Sequence, residues 1–146
     1  VTSSDSPLLH GPELDVALSQ DVTKWETADW LPTSTSLHLY ARALFGNVSV
    51  FDIDSDIAIY SFGVRLSAPL ASSNSIALTC DISAGPGWIM TDLGDATGFD
   101  SGVGLRAAYS VAKNLSLVAA AEANAFISDY IFAGGPACNV GLNFVW

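Results

Sequence analysis

Three arginines, Arg42, Arg65 and Arg106, each stand in the middle of a segment that alternates apolar and polar residues, and each falls on the polar face. Asp15, Asp81 and Glu122 occupy the same kind of position. Guanidiniums and carboxylates on the polar faces of neighbouring strands can neutralise one another. The expected chemistry of Asp15, Arg42, Arg65, Asp81, Arg106 and Glu122 is therefore an internal ion-pair network. Nucleophilic chemistry has less to work with. His10 and His38 are the only histidines. His10 falls in a segment expected to be flexible. His38 shares the polar face with Ser36, Tyr40 and Arg42, but spacing alone does not bring a base within hydrogen-bond reach of a nucleophile. No catalytic residue is assigned, and an enzyme is not expected.

Metal and cofactor chemistry is equally sparse. Asp52, Asp54 and Asp56 alternate in DIDSD, and Asp92, Asp95 and Asp100 follow later. A calcium loop of the EF-hand type needs a turn glycine and a distant Glu, which DIDSD lacks. Both groups read as solvated acidic loops. GPG (85–87) and AGGP (133–136) lack the strand–helix context of a phosphate loop and read as turns. No cofactor or metal is expected. Cys80 and Cys138 fit neither zinc nor haem spacing. Both sit on apolar faces: reduced if those faces meet lipid, able to pair if they meet across a soluble core.

The elements that must position these residues follow a period of two. Ile76, Leu78, Cys80, Ile82 and Ala84 oppose Ala77, Thr79, Asp81 and Ser83; Val103, Leu105, Ala107 and Tyr109 oppose Gly102, Gly104, Arg106 and Ala108. Similar runs cover 13–21, 36–45, 57–67 and 138–146, with Leu44 out of phase on the polar face. Residues 115–127 are Ala-rich and could form a helix, but the Lys113-Asn114 turn and the neighbouring runs favour a strand. Residues 48–53 either form a short strand or continue the preceding one through Gly46-Asn47. The count is about eight strands, or seven with one bent. Residues 1–12 read as a flexible N-terminal segment and 13–146 as a single domain. The long connections are expected at 22–34, 86–100 and 128–137.

The 146 residues are 50% apolar and only 14% charged, with a net charge of −10. That balance excludes a nucleic-acid partner, which needs basic residues to displace phosphate counterions. Lys24 and Lys113 are the only lysines. No apolar stretch reaches the roughly 18 residues of a membrane helix. Opening at Val1, the sequence is expected to be a processed mature protein or a trimmed fragment. A soluble sandwich would carry long charged side chains on its water face. Here the polar face is Gly, Ser, Asn, Thr and Ala with a few ions, which suits a narrow filled interior. The apolar face then points outward, into lipid. The expectation is an all-β, antiparallel, up-and-down transmembrane β-barrel. The alternative is a secreted soluble β-sandwich, such as a pilin-like or fibre subunit.

The tract GVGLRAAYSVAKNLSLVAAAEANAF (102–126) resembles a hairpin of small outer-membrane β-barrels of the OmpA/OmpX/opacity-protein type. FGVRLSAPL (62–70) with SIALTCDISAGPGW (75–88) is similar to another hairpin of that family. The terminal GLNFVW resembles its C-terminal assembly signal, carried here by Leu142, Phe144 and Trp146. The resemblance implies a bacterial outer membrane, short periplasmic turns and longer external loops, with Trp146 on the periplasmic side. It also implies outer-membrane lipid and the barrel-assembly machinery as partners, and another envelope protein or a host surface as the target of the external loops. The role so implied is structural, adhesive or in envelope integrity, without a large pore. Trp25, Trp30, Trp88 and Tyr130 are candidates for an aromatic girdle near the strand ends.

Overall fold

A computed structural model of the chain describes residues 8–19, 21–25, 30–50, 53–92, 94–129 and 132–145. Seven strands form: β1 (Leu9–Ser19), β2 (Ser36–Val50), β3 (Ile53–Ser72), β4 (Ile76–Thr91), β5 (Gly94–Ala112), β6 (Leu115–Ile127) and β7 (Phe132–Val145). Each pairs with its sequence neighbour in antiparallel register, as short connections allow. The ring then closes between β1 and β7. An odd number of alternating strands must close on a parallel pair, and β1 runs parallel to β7, from Leu9 opposite Ala137 to Ala17 opposite Val145.

Several expectations change at this point. Of the two expected counts, seven holds rather than eight, because residues 36–50 run through Gly46-Asn47 as one strand paired continuously with β3. β1 begins at Leu9, so His10 lies in a strand rather than a flexible segment. The expected long connections at 86–100 and 128–137 are mostly strand. β4 and β5 stay paired out to Thr91 opposite Gly94, and β6 and β7 out to Ile127 opposite Phe132. GPG lies inside β4 and AGGP inside β7, not in turns. A Cβ on Gly85 would overlap the Phe62 carbonyl oxygen, so the glycine allows a close approach of β3 to β4 rather than a reversal. Asp54 and Asp56 likewise extend β3. The long connection that does form, 20–35, carries a short 3-10 turn at Val22–Lys24 and sits at the same end as the C-terminus.

The ring has an apolar outside and a polar inside. All seven strands turn large apolar side chains outward, among them Leu14, Leu39, Phe62, Ile82, Leu105, Leu117 and Val140, each 46–66% exposed. Inside, an apolar cluster of Leu9, Leu44, Ile57, Ile59, Ile89, Phe126 and Ala137 fills the end where β2–β3, β4–β5 and β6–β7 connect. Leu44, out of phase in the sequence, is fully buried there. Buried polar and charged side chains fill the middle.

Candidate functional site

The charged middle layer is built from inward positions of six strands, β1 to β6. Period two turns Glu13 and Asp15 of β1, Arg42 of β2, Arg65 of β3, Asp81 of β4, Asp100 and Arg106 of β5, and Glu122 of β6 into the interior, all at most 5% exposed. Arg65 is the hub. It donates to both carboxylate oxygens of Glu13, at 2.5 and 2.9 Å, and to Asp15 at 3.1 Å. Glu122 and Asp81 stand 3.5 and 3.7 Å from it. Arg106 donates to Asp81 at 2.5 Å and to Glu13 at 2.6 Å. Arg42 pairs with Asp100 at 2.8 Å and with Glu122. The Tyr40 ring lies between two guanidiniums, 5.0 Å from Arg42 and 4.8 Å from Arg65, where its π face favours cations.

Neutral amides and a hydroxyl complete the layer, as buried ions require. Asn124 donates to Asp100 at 2.8 Å and accepts from Arg42 at 2.7 Å. Asn139 of β7 donates to Glu13 at 3.2 Å, and Thr79 to Asp81 at 2.7 Å.

All six residues named from the sequence for this network lie in it. Sequence reasoning missed Glu13, Asp100, Asn124 and Asn139. The signal was available: Glu13 shares the phase of Asp15, and Asp100 that of Gly102, Gly104 and Arg106. Only Asp100 lay past an expected strand end; Glu13, Asn124 and Asn139 fall within runs already read as strands and were not assigned to the network. With Glu13 and Asp100 included, five carboxylates face three guanidiniums.

Below this layer, towards the C-terminal end of the ring, lies His38, 7% exposed. Its Nε2 is 2.7 Å from Ser36 Oγ, and its Nδ1 is 3.2 Å from Asp15 Oδ1. A cavity of about 170 Å³ opens there, lined by Ser36, His38, Arg106 and small side chains including Ala17, Ala77 and Ala108.

The remaining charges collect at the two rims. Asp54, Asp56, Asp92, Asp95 and Asp129 are exposed at the end holding the apolar cluster, and Lys24 and Lys113 at the other. Between the rims, no Asp, Glu, Lys or Arg among the described residues faces outward. Asn47 donates to Asp56 at 3.1 Å, and the Asp56 backbone N–H donates to Asp92 at 3.3 Å. Among the described residues no group of three His, Cys, Asp or Glu is arranged to hold a metal ion. Outward aromatics gather towards both ends. Phe45 meets Tyr60 edge-on at 6.0 Å and Phe62 meets Trp88 at 5.7 Å, while Trp25 and Trp30 are exposed on the 20–35 connection. Leu142 and Phe144 face outward, 37% and 38% exposed. Trp146, Tyr130 and Asp52, also singled out in the sequence, lie outside the described residues. Cys80 and Cys138 are free, on strands separated in the ring by β5 and β6. Comparisons with protein-family models, with curated proteins and with solved structures find no match.

Proposed function

We propose that the chain is an outer-membrane β-barrel with a structural role in the bacterial envelope and no large pore. One observation carries this reading: among the described residues, the outward surface between the rims is apolar on every strand and free of charged side chains, while the ions are turned inward. In water such a surface would be a contiguous apolar patch far larger than the few hundred Å² that soluble monomers expose. In hydrocarbon it is the favoured surface, and the closed hydrogen-bonded ring leaves no unpaired strand edge. The strands, 11 to 20 residues long, exceed the roughly 9–11 needed to cross. Aromatics at both ends fit interfacial girdles.

The interior leaves no passage from end to end, because the apolar cluster and the ionic layer follow one another along the axis. A planar-bilayer recording should therefore show no nanosiemens conductance. Contacts with another envelope protein or a host surface would fall on the acidic rim opposite the C-terminal end, where short connections stand in place of the longer external loops that the resemblance implies. An odd strand number departs from the even counts of bacterial single-chain barrels and matches the arrangement known in a mitochondrial one. The alternative of a secreted β-sandwich is less well supported, because a sandwich would bury the faces that are turned outward here.

Extraction tests the proposal. The protein should partition into detergent and migrate differently on gels before and after heating. A protein that stays monomeric in detergent-free buffer would overturn it.

A further inference from the structure

We propose that Ser36, His38 and Asp15 form a hydrolytic triad that cleaves short-chain carboxylic esters at the C-terminal end of the ring. The inference rests on the order of contacts and does not depend on a bilayer. Ser36 and His38 are two residues apart on β2 and so point to the same side of the sheet. Asp15 comes from the adjacent strand β1, where Ala17 is the residue paired with His38. The two imidazole nitrogens are engaged in the sense a nucleophile–base–orienter relay needs: Ser36 Oγ at 2.7 Å from Nε2, Asp15 Oδ1 at 3.2 Å from Nδ1. The Asp15 contact lies off the line of a hydrogen bond, a looseness common before substrate binds. Arg65 fixes the other Asp15 oxygen at 3.1 Å. The Ser36 hydroxyl has one competing acceptor, the Ser67 carbonyl, at the longer distance of 3.4 Å.

Two further features point to an acyl substrate. Arg106 lines the same cavity; its Nη1 is shut off from solvent, has no hydrogen bond among the described residues, and stands 3.5 Å from Asp15 Oδ2. The Arg106 side chain thus sets a cationic charge at the cavity wall, where it would stabilise a developing oxyanion through its field. The cavity of about 170 Å³ has walls from Ala17, Ala77 and Ala108. At about 30 Å³ per water molecule its volume matches an acyl group of roughly two to four carbons.

In the reaction, Ser36 Oγ bonds to the ester carbonyl carbon as its proton passes to His38 Nε2. The carbonyl oxygen becomes an oxyanion in the field of the Arg106 guanidinium. Collapse breaks the bond to the leaving oxygen, which takes the proton from His38 and departs as the alcohol, leaving acyl-Ser36. Water then adds to the acyl carbon and gives a proton to His38. Ser36 leaves, recovers that proton, and the carboxylic acid is released.

The test uses the whole folded chain with p-nitrophenyl acetate and p-nitrophenyl decanoate, following nitrophenolate release and intact mass. The expected result is acetate turnover with an acetyl adduct mapped to Ser36 and decanoate at background. Ser36→Ala should abolish both turnover and adduct. His38→Ala should slow acylation by about 10²–10⁴-fold, with partial rescue by free imidazole. Asp15→Asn should slow it as well, and Asp15→Glu should restore part of the rate. Far-UV circular dichroism checks that each variant keeps its strands. The wild-type adduct needs no variant, so a misfolded substitution leaves the test intact. Folded wild-type protein without a Ser36 adduct overturns the proposal, as does acylation at an unchanged rate in folded His38→Ala. Equal decanoate turnover overturns the short-chain assignment.

Discussion

Arg65→Met removes the hub of the buried ionic layer while keeping a side chain of similar length. Arg65 is fully buried and holds Glu13 at 2.5 and 2.9 Å and Asp15 at 3.1 Å, with Glu122 at 3.5 Å and Asp81 at 3.7 Å. The substitution leaves five carboxylates facing Arg42 and Arg106 alone. Removing one member of a buried ion pair costs about 3–5 kcal/mol, because its partners stay buried without compensation. With a urea slope of about 2 kcal/mol per molar, the unfolding midpoint should fall by roughly 1.5–2.5 M. Tryptophan fluorescence in detergent micelles can follow the transition. Adding Glu13→Gln should recover part of the loss, since it removes one of the stranded charges. A variant within about 0.5 M of the wild-type midpoint would refute this account of the interior.

Other measurements bear on the outer surface and on ring closure. Val103→Arg, at a position 51% exposed in mid-belt, should cost about 2–4 kcal/mol in a bilayer, measured by reversible folding into liposomes. On a water-facing surface the same change would fall within about 0.5 kcal/mol. Cys138 faces outward and is free, so a hydrophilic maleimide should leave it unmodified in liposomes and react once the chain is unfolded. Rapid labelling in the folded, lipid-inserted state would place that face in water. Gly141→Ala should destabilise the ring by about 1–3 kcal/mol, because the added methyl would overlap the Glu13 carbonyl oxygen across the β1–β7 pair. Loss of the heat-modifiable gel form at a lower temperature would report it, and an unchanged temperature would contradict the close approach.

The alternation of residue types made the strands and their inward faces legible, because a period of two survives in any sheet whose faces differ. Arg42, Arg65 and Arg106 could be placed together inside from phase alone. Strand ends were less legible. The segments 86–100 and 128–137 are rich in Gly, Pro and Asp, which ordinarily mark turns, yet pairing across the sheet carries them on as strand. Asp100 was lost from the expected network for that reason, whereas Glu13 lay within the expected run 13–21 and was not assigned to the network. Gly46-Asn47 posed the opposite problem. The pair looks like a turn, but partners Ile57 and Asp56 extend β2 straight through it. The Ser36–His38–Asp15 contact could not be read from spacing, since Asp15 enters from another strand and only the β1–β2 register brings it to His38.

The parallel seam between β1 and β7 separates the beginning and end of the folded body. Leu9 lies beside the rim of exposed aspartates, whereas Val145 lies by the lysine-bearing rim. Reporter tags fused ahead of Leu9 and behind Val145 would thus occupy opposite compartments of a vesicle. Added protease could destroy one while sparing the other, so a pair of fusions would give the orientation of insertion without any change to a strand.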